Sequence, residues 1–499
     1  MSQELTLDQI QDFKGKYPKQ IWFLFFSEMW ERFCFYGMRG MLTYFMVYQM
    51  LMEKPVANLQ YGATQAWVYA FTFIGGLFAD RILGFKKSLF WGGLLMIVGS
   101  ILLMIDPKVF FFTGISFLVI GTGFFKPNIS SMVGQLYKSG DHRRDAGFSL
   151  FYSGINIGAF LGGILMIGVG KGEILSSMIP ENLRWNIAFG LVAVVMIISL
   201  TTFVLNHKKL GPIGLSPFKV EGNKSKLREW LVYIGALACI PIIQIMVANT
   251  VYTDYFMYVI GPFSLLYLFY EMTKLDRKSN LKLVAALVFI IFSVVFWAIF
   301  EQAGGSLSIY AAEHLQGKIL MLDPNQINNS ANALFVIIFA PLVGLFWLWL
   351  HKRKLEPNSV VKFGLGFLFL GVGFYTFFTG KFGADAKGIA SLNLFTFAYL
   401  IITFGEIALS PIGLSLMTKL STQKLQGVMM GMWFLASAYG QYVAGLFGAA
   451  ISPAESMTAV EKLSVYSEGY KQFGIYAIIT GVVLIAISPV IRKMMGDVK

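Results

Sequence analysis

The segment SEMWERFCFYGMRGML, Ser27–Leu42, sets two acids and two bases among tryptophan, phenylalanine, methionine and tyrosine. A charge placed in hydrocarbon is costly, so such residues persist there only where they pair or do chemistry. Their spacing is helical. Glu28 and Arg32 are four positions apart, Arg32 and Tyr36 four, and Arg32 and Arg39 seven, separations that share one helix face. Glu31 borders the same face. The stripe must look into the protein interior or onto a water-filled path, away from lipid.

Three further charged residues lie in apolar segments. Lys126 sits in GTGFFKPNISS beside Pro127, a residue able to kink or interrupt a helix. Glu301 lies in VFWAIFEQAGGS, and Glu406 in TFGEIALSPIGLS near Pro411. A structural ion network that pins helices would account for buried pairs of this kind. Carboxylates and cations on separate segments also suit a second chemistry, in which pairs exchange partners when a carboxylate takes up a proton. Asn156, in the small-residue run FYSGINIGAFLGG, reads either as a ligand contact or as interhelical glue. Tyr36, Tyr69 and Trp433 line a site or simply pack. The turn GGLFADRILGFKK, Gly75–Lys87, reads as a conformational gate or an orientation device.

Soluble-enzyme chemistries are poorly served. His142, His207, His314 and His351 fall in loops or near the ends of apolar segments, and the chain has no HExxH, CxxC, Walker A or GxSxG pattern. A metal centre, a bound cofactor and an ATP-driven pump therefore lack sequence support. No nucleophile–base arrangement accompanies the acids, which weighs against a membrane-embedded enzyme. The energy must come from an ion gradient or from the solute's own.

The elements that position these residues follow from composition. The 499 residues are 56% hydrophobic and 13% charged, where a soluble chain is nearer a quarter charged. Apolar runs of bilayer length recur near 20–50, 61–80, 87–105, 110–136, 144–169, 184–205, 229–248, 251–271, 282–303, 329–350, 361–380, 389–418, 426–450 and 469–492. The expectation is an all-α polytopic membrane protein of 14 spans. The division between the seventh and eighth spans, around MVANTVYTD, is the least marked. The net charge of +13 does not point to nucleic acid, because no basic stripe is interleaved with stacking aromatics. Of the 40 lysines and arginines, 28 fall in the termini and even-numbered loops and 9 in the odd-numbered loops, which predicts cytoplasmic termini. Cys34 and Cys239 lie in apolar segments and give little support to a disulfide. The polar N-terminal segment is unlike a cleaved signal peptide and predicts a short helix on the membrane surface. A long basic linker, Asn206–Glu229, follows six spans, so the organisation reads as 6+2+6. The segments are 1–19 (cytoplasmic), 20–205 (six helices), 206–281 (linker and two extra helices) and 282–499 (six helices and a tail).

With these residues placed, the chain resembles the proton-dependent oligopeptide transporters of the major facilitator superfamily over nearly its whole length. The resemblance rests on EMWERF, FYSGINIGA, GFFKPNISS, FWAIFEQ and GEIALSPIGLS. It implies a major facilitator fold, two six-helix bundles plus two extra transmembrane helices, in a bacterial inner membrane. It also implies symport of dipeptides and tripeptides with protons by a functional monomer, the proton being the coupling ion and no cofactor being needed. On that resemblance Glu28, Glu31, Arg32 and Glu301 serve proton coupling, while Arg32 and Lys126 approach the peptide carboxylate. Glu406 receives the amino terminus, Tyr36, Tyr69, Asn156, Asn332 and Trp433 line the pocket, and Arg39 with Glu301 forms a gate. A zwitterionic peptide needs a cation at one end and a carboxylate at the other, which agrees with that division. A related carrier of nitrate or of peptide-like drugs is the alternative. Phe35 stands where many bacterial members have a second tyrosine, and Phe300 where some relatives carry an acid.

Overall fold

A computed structural model describes residues 5–138, 140–217, 225–409, 413–422, 425–496 and 498. Pro411 therefore lies outside the described residues. The chain is helical throughout, with two isolated bridges as its only extended pairings among these residues. The first nine helices are α1 Leu7–Gln11, α2 Gln20–Tyr48, α3 Lys54–Phe78, α4 Phe85–Ile105, α5 Phe111–Gln135, α6 Arg143–Lys171, α7 Arg184–Asn206, α8 Ser225–Ala248 and α9 Thr250–Met272. The remainder are α10 Arg277–Phe300, α11 Ser306–His314, α12 Pro324–Lys352, α13 Ser359–Thr379, α14 Leu392–Leu409, α15 Gly413–Leu420, α16 Gln426–Ala450, α17 Ala459–Ala486 and α18 Ser488–Met495.

Among the described residues, ten helical segments are long and apolar enough to cross a bilayer. The protein is a multi-pass membrane protein. Four more helices, α2, α5, α9 and α16, have 23 residues or more but carry the charges, glycines and tyrosines that dilute an apolar signal.

Helix ends follow local capping chemistry. Asp276 caps α10 by accepting from the Lys278 and Ser279 backbone N–H groups. Asp323 and Gln326 form a reciprocal capping box at α12, with Pro324 in its first turn, and Thr458 with Glu461 does the same at α17. Around MVANTVYTD the helix does break: α8 ends at Ala248 and Asn249 caps α9 by accepting from Val251 N–H. The last long helix starts at Ala459, ten residues before the apolar run suggests. Its first turns are polar outside, yet they bury Leu463, Tyr466 and Tyr470.

The helices gather into two compact units. The first comprises Met1–Met41 and Trp67–Ala248, the second Leu42–Ala66 and Asn249–Lys499. The division passes through α2 and α3 and falls between α8 and α9. In the first unit α4 packs most extensively on α5 and α7. The α4–α5 crossing depends on absent side chains: a Cβ at Gly92 would sit 2.5 Å from the Gly121 carbonyl oxygen, and one at Gly121 2.7 Å from that of Gly92. The second unit repeats the device where α13 meets α17, with Gly371 against Gly474. Gln244 of α8 accepts from Thr113 of α5, and Tyr442 of α16 donates to Asp254 of α9. α8 is thus tied to the first unit and α9 to the second.

Candidate functional site

In the first unit the two acids and the first arginine of the α2 stripe are sealed from solvent. Glu28, Glu31 and Arg32 are 2%, 0% and 1% exposed. Arg32 pairs with both acids, Nε lying 3.0 Å from Glu28 Oε1 and Nη2 2.5 Å from Glu31 Oε2. Spacing alone put Glu31 at the border of the stripe, but the structure makes it a direct partner of Arg32. Two acids share one guanidinium, and Glu28 Oε2 and Glu31 Oε1 accept no hydrogen bond from the described residues. Buried oxygens in that condition are costly, and each offers a place for a proton.

The neighbouring helices deliver the rest. α5 continues through Pro127, which bends no boundary into the helix: Phe111–Gln135 is one element. Pro127 has no N–H, so it cannot bond to the Gly123 carbonyl four residues earlier. Gly75 of α3 comes against that carbonyl so closely that a Cβ would lie 2.2 Å from it. This crossing brings Tyr69 of α3 to Lys126 of α5, whose Nζ is 4.5 Å from the ring centroid. Phe35 lies between two cations, with Lys126 Nζ at 5.6 Å and Arg32 Cζ at 5.4 Å from its ring. It lacks a tyrosine's hydroxyl but keeps the ring face that attracts cations. Arg39, one stripe position further along, stands 5.8 Å from the Tyr36 ring.

α6 reaches α2 through glycines as well. A Cβ at Gly158 would be 2.1 Å from Met29 O and 3.0 Å from Arg32 Cβ. Asn156 sits two residues before that contact and is 8% exposed. Its amide donates to Tyr152 O of its own helix, and it makes no interhelical hydrogen bond among the described residues.

In the second unit an amide reaches the carboxylate of Glu406. Asn332 of α12 donates to Glu406 Oε2 of α14 at 2.8 Å and to Thr403 Oγ1 at 3.1 Å. Glu301 opens a 3-10 turn after α10 and is 2% exposed. Trp433 of α16 packs against the start of α15, where a Cβ at Gly413 would be 2.0 Å from its ring. Thr403 escaped the sequence reading because a lone threonine in a span carries no signal.

A second cluster also escaped it. Lys54, 3% exposed, pairs with Glu313 at 2.9 Å and Glu455 at 3.1 Å, and Tyr48 donates to Glu313 at 3.0 Å. These residues come from α2, α3, α11 and the segment before α17, far apart in sequence, so periodicity could not gather them. The turn Gly75–Lys87 holds a π-helical segment, Ala79–Leu83, ended by Gly84 at φ +75°. The linker docks on it: Lys86 N–H donates to Gly214 O, and Ser216 Oγ donates to Ile82 O. No group of three or more His, Cys, Asp or Glu able to hold a metal occurs among the described residues.

Comparison with known proteins gives this arrangement a relative. The chain is 31% identical over 505 residues to the peptide transporter YePEPT of Yersinia enterocolitica, covering 95% of this chain and 94% of that protein. It is 27% identical to a dipeptide and tripeptide permease B of Aeromonas hydrophila, over 96% and 94% of the two chains. Its fold matches a solved mutant peptide transporter POT in complex with alafosfalin, with a TM-score of 0.80, 32% identity and coverage of 99% and 100%. The sequence model of the POT family matches residues 86–463. The ion-paired α2 stripe, the lysine of α5 and the amide-held glutamate of α14 thus belong to a transporter, and the chain is a member of the POT family.

Proposed function

We propose that this protein carries dipeptides and tripeptides into the cell together with protons, by alternating access. The observation that carries the reading is the composition of the α2 site: two buried acids on one arginine, with a lysine close by. While both acids are ionised, Arg32 is committed to them. Protonating either one releases part of its charge, and together with Lys126 it then attracts a peptide carboxylate. The peptide ammonium goes to Glu406, which Asn332 orients. Proton and peptide favour each other's binding in this scheme, as coupling requires. The names of the similar permeases support the same substrate class.

Glu28, Glu31, Arg32 and Glu301 are assigned to proton coupling. Tyr36, Tyr69, Asn156, Asn332 and Trp433 are assigned to the walls of the peptide site, and Arg39 with Glu301 to a gate. All fourteen long helices span the membrane in this reading, as two six-helix bundles with α8 and α9 as the extra pair, divided at 20–205, 206–281 and 282–499. Both termini are cytoplasmic, and a monomer in the inner membrane is the working form.

The test is peptide-driven proton movement in liposomes holding the purified protein under an imposed pH gradient. Dialanine and trialanine should acidify the lumen as they enter. Peptide binding without proton movement would remove the symport mechanism. Competition by nitrate but not by dialanine would favour a carrier for another anion.

A further inference from the structure

Three helix ends of the first unit meet around a recess outside the proposed peptide site. They are the start of α4, the end of α7 and the start of α8, each belonging to a segment apolar enough to cross a bilayer. The recess encloses about 460 Å³. Its walls are apolar and aromatic: Phe90, Trp91 and Leu94 from α4, Phe203 from α7, and Trp230 with Tyr233 from α8. The Trp91 and Tyr233 rings are 4.9 Å apart and those of Trp230 and Tyr233 6.0 Å, so the aromatic wall bridges two helices. Trp230 remains 63% exposed and Phe90 43%. Tryptophan and tyrosine at the ends of spanning helices sit at headgroup depth.

The rim carries a surplus of positive charge. Lys86, Lys87 and His207 line it, and Lys208 and Lys209 follow directly in the 3-10 turn that ends α7. Within Phe85–Phe90, Asn206–Leu210 and Ser225–Tyr233 there are six lysines and arginines and a single acid, Glu229. That acid faces Lys87, whose Nζ is 2.7 Å and 2.6 Å from its two oxygens. Lys86 donates to Gly211 O at 2.7 Å. One lysine is thus largely neutralised and another anchored, while the surplus of positive charge stays at the rim.

We propose that this recess holds the headgroup end of an anionic phospholipid, with glycerol and upper acyl chain against the aromatic wall and phosphate at the lysine rim. The wall excludes a free hydrated anion as the natural occupant, because a small ion gains nothing from tryptophan and leucine. The rim disfavours a zwitterionic lipid, whose own cation would meet the lysines. Each lysine near a headgroup adds about 1 kcal/mol to anionic-lipid attraction.

The test uses the purified full chain and native mass spectrometry of lipid retention, titrating phosphatidylglycerol, phosphatidylcholine and inorganic phosphate separately. Phosphatidylglycerol should bind one site about tenfold more tightly than phosphatidylcholine, and phosphate should not displace it. Lys87→Gln should weaken phosphatidylglycerol about fivefold, one lysine's share. Glu229→Gln should strengthen it, because Lys87 is then released toward the lipid. Trp230→Ala should weaken both lipids. The opposite signs carry the argument, since both polar variants break the same ion pair. Equal weakening by both would make that pair merely structural and overturn the proposal. Equal affinity for the two lipids, or displacement by phosphate alone, would overturn it as well.

Discussion

Acids on α2 and on α14 sit in different surroundings. On α2, Glu28 and Glu31 face a guanidinium inside their own helix. On α14, Glu406 is steadied by a neutral amide from α12, and that amide also reaches Thr403. The first arrangement holds its own counter-charge and changes character when a proton arrives. The second keeps a carboxylate oriented without a lysine or arginine being required in the hydrogen bond that orients it. The difference agrees with the division of labour proposed above, in which a proton alters the α2 site by redistributing charge and Glu406 meets the cation of the peptide.

Arg32→Ala should break this comparison most severely. It leaves two acids buried beside each other, and removing one partner of a buried pair costs about 3–5 kcal/mol. Thermal unfolding of the purified variant and loss of peptide uptake would register it. A variant with unchanged thermal stability would mean the acids do not depend on Arg32.

Glu28→Gln and Glu31→Gln mimic the protonated acid and spare the fold. Gradient-driven uptake should fall by about tenfold or more, while peptide counterflow without a gradient persists. Equal loss of both activities would reduce the stripe to a structural network.

Glu406→Gln addresses the other half. The KM for dialanine should rise about tenfold, the scale of a charged hydrogen bond, while competition by N-acetyl-dialanine, which has no ammonium, should hardly change. If both ligands weaken alike, Glu406 does not read the amino terminus.

Phe35 gives a finer comparison. Phe35→Leu removes a ring shared by two cations and should weaken dialanine binding by up to about 2 kcal/mol. Phe35→Tyr keeps the ring and should shift it by less than about 1 kcal/mol. Isothermal titration would separate them.

The smallest effect lies outside the spans. Asp141, before α6, accepts from the backbone N–H of Arg143 at 2.9 Å and from its Nη2 at 2.7 Å. The Arg143 hydrogen bonds hold its carboxyl down, at about 2. A lowered carboxyl stabilises the fold above its ordinary pKa and loses that contribution as pH falls toward about 2. Asp141→Asn should therefore lower thermal stability slightly at neutral pH, where the contribution is fully present, and flatten the acid limb, so that unfolding scans of variant and parent converge as pH falls toward about 2.

Much of the helical order was legible in the chain because apolar runs of bilayer length and cap residues are local signals. Hydropathy misplaced the start of α17, whose first turns are polar, whereas the runs near 20–50, 110–136, 251–271 and 426–450 marked α2, α5, α9 and α16 despite their charges, glycines and tyrosines. The α2 stripe was readable because Glu28 and Arg32 share a helix face. The bond from Asn332 to Glu406 was not, because it joins residues 74 positions apart. The buried Lys54 cluster was hidden for the same reason.

The sequence by itself determined the environment, the charged stripe and the family, since each depends on composition or on residues near one another along a helix. Tertiary structure alone decided which partners those charges meet. Glycine contacts of backbone on backbone bring α3 to α5 and α6 to α2, and so set Tyr69 beside Lys126 and Gly158 beside Arg32. Helix crossings depend on two surfaces at once, and a single chain read in order displays only one of them at a time.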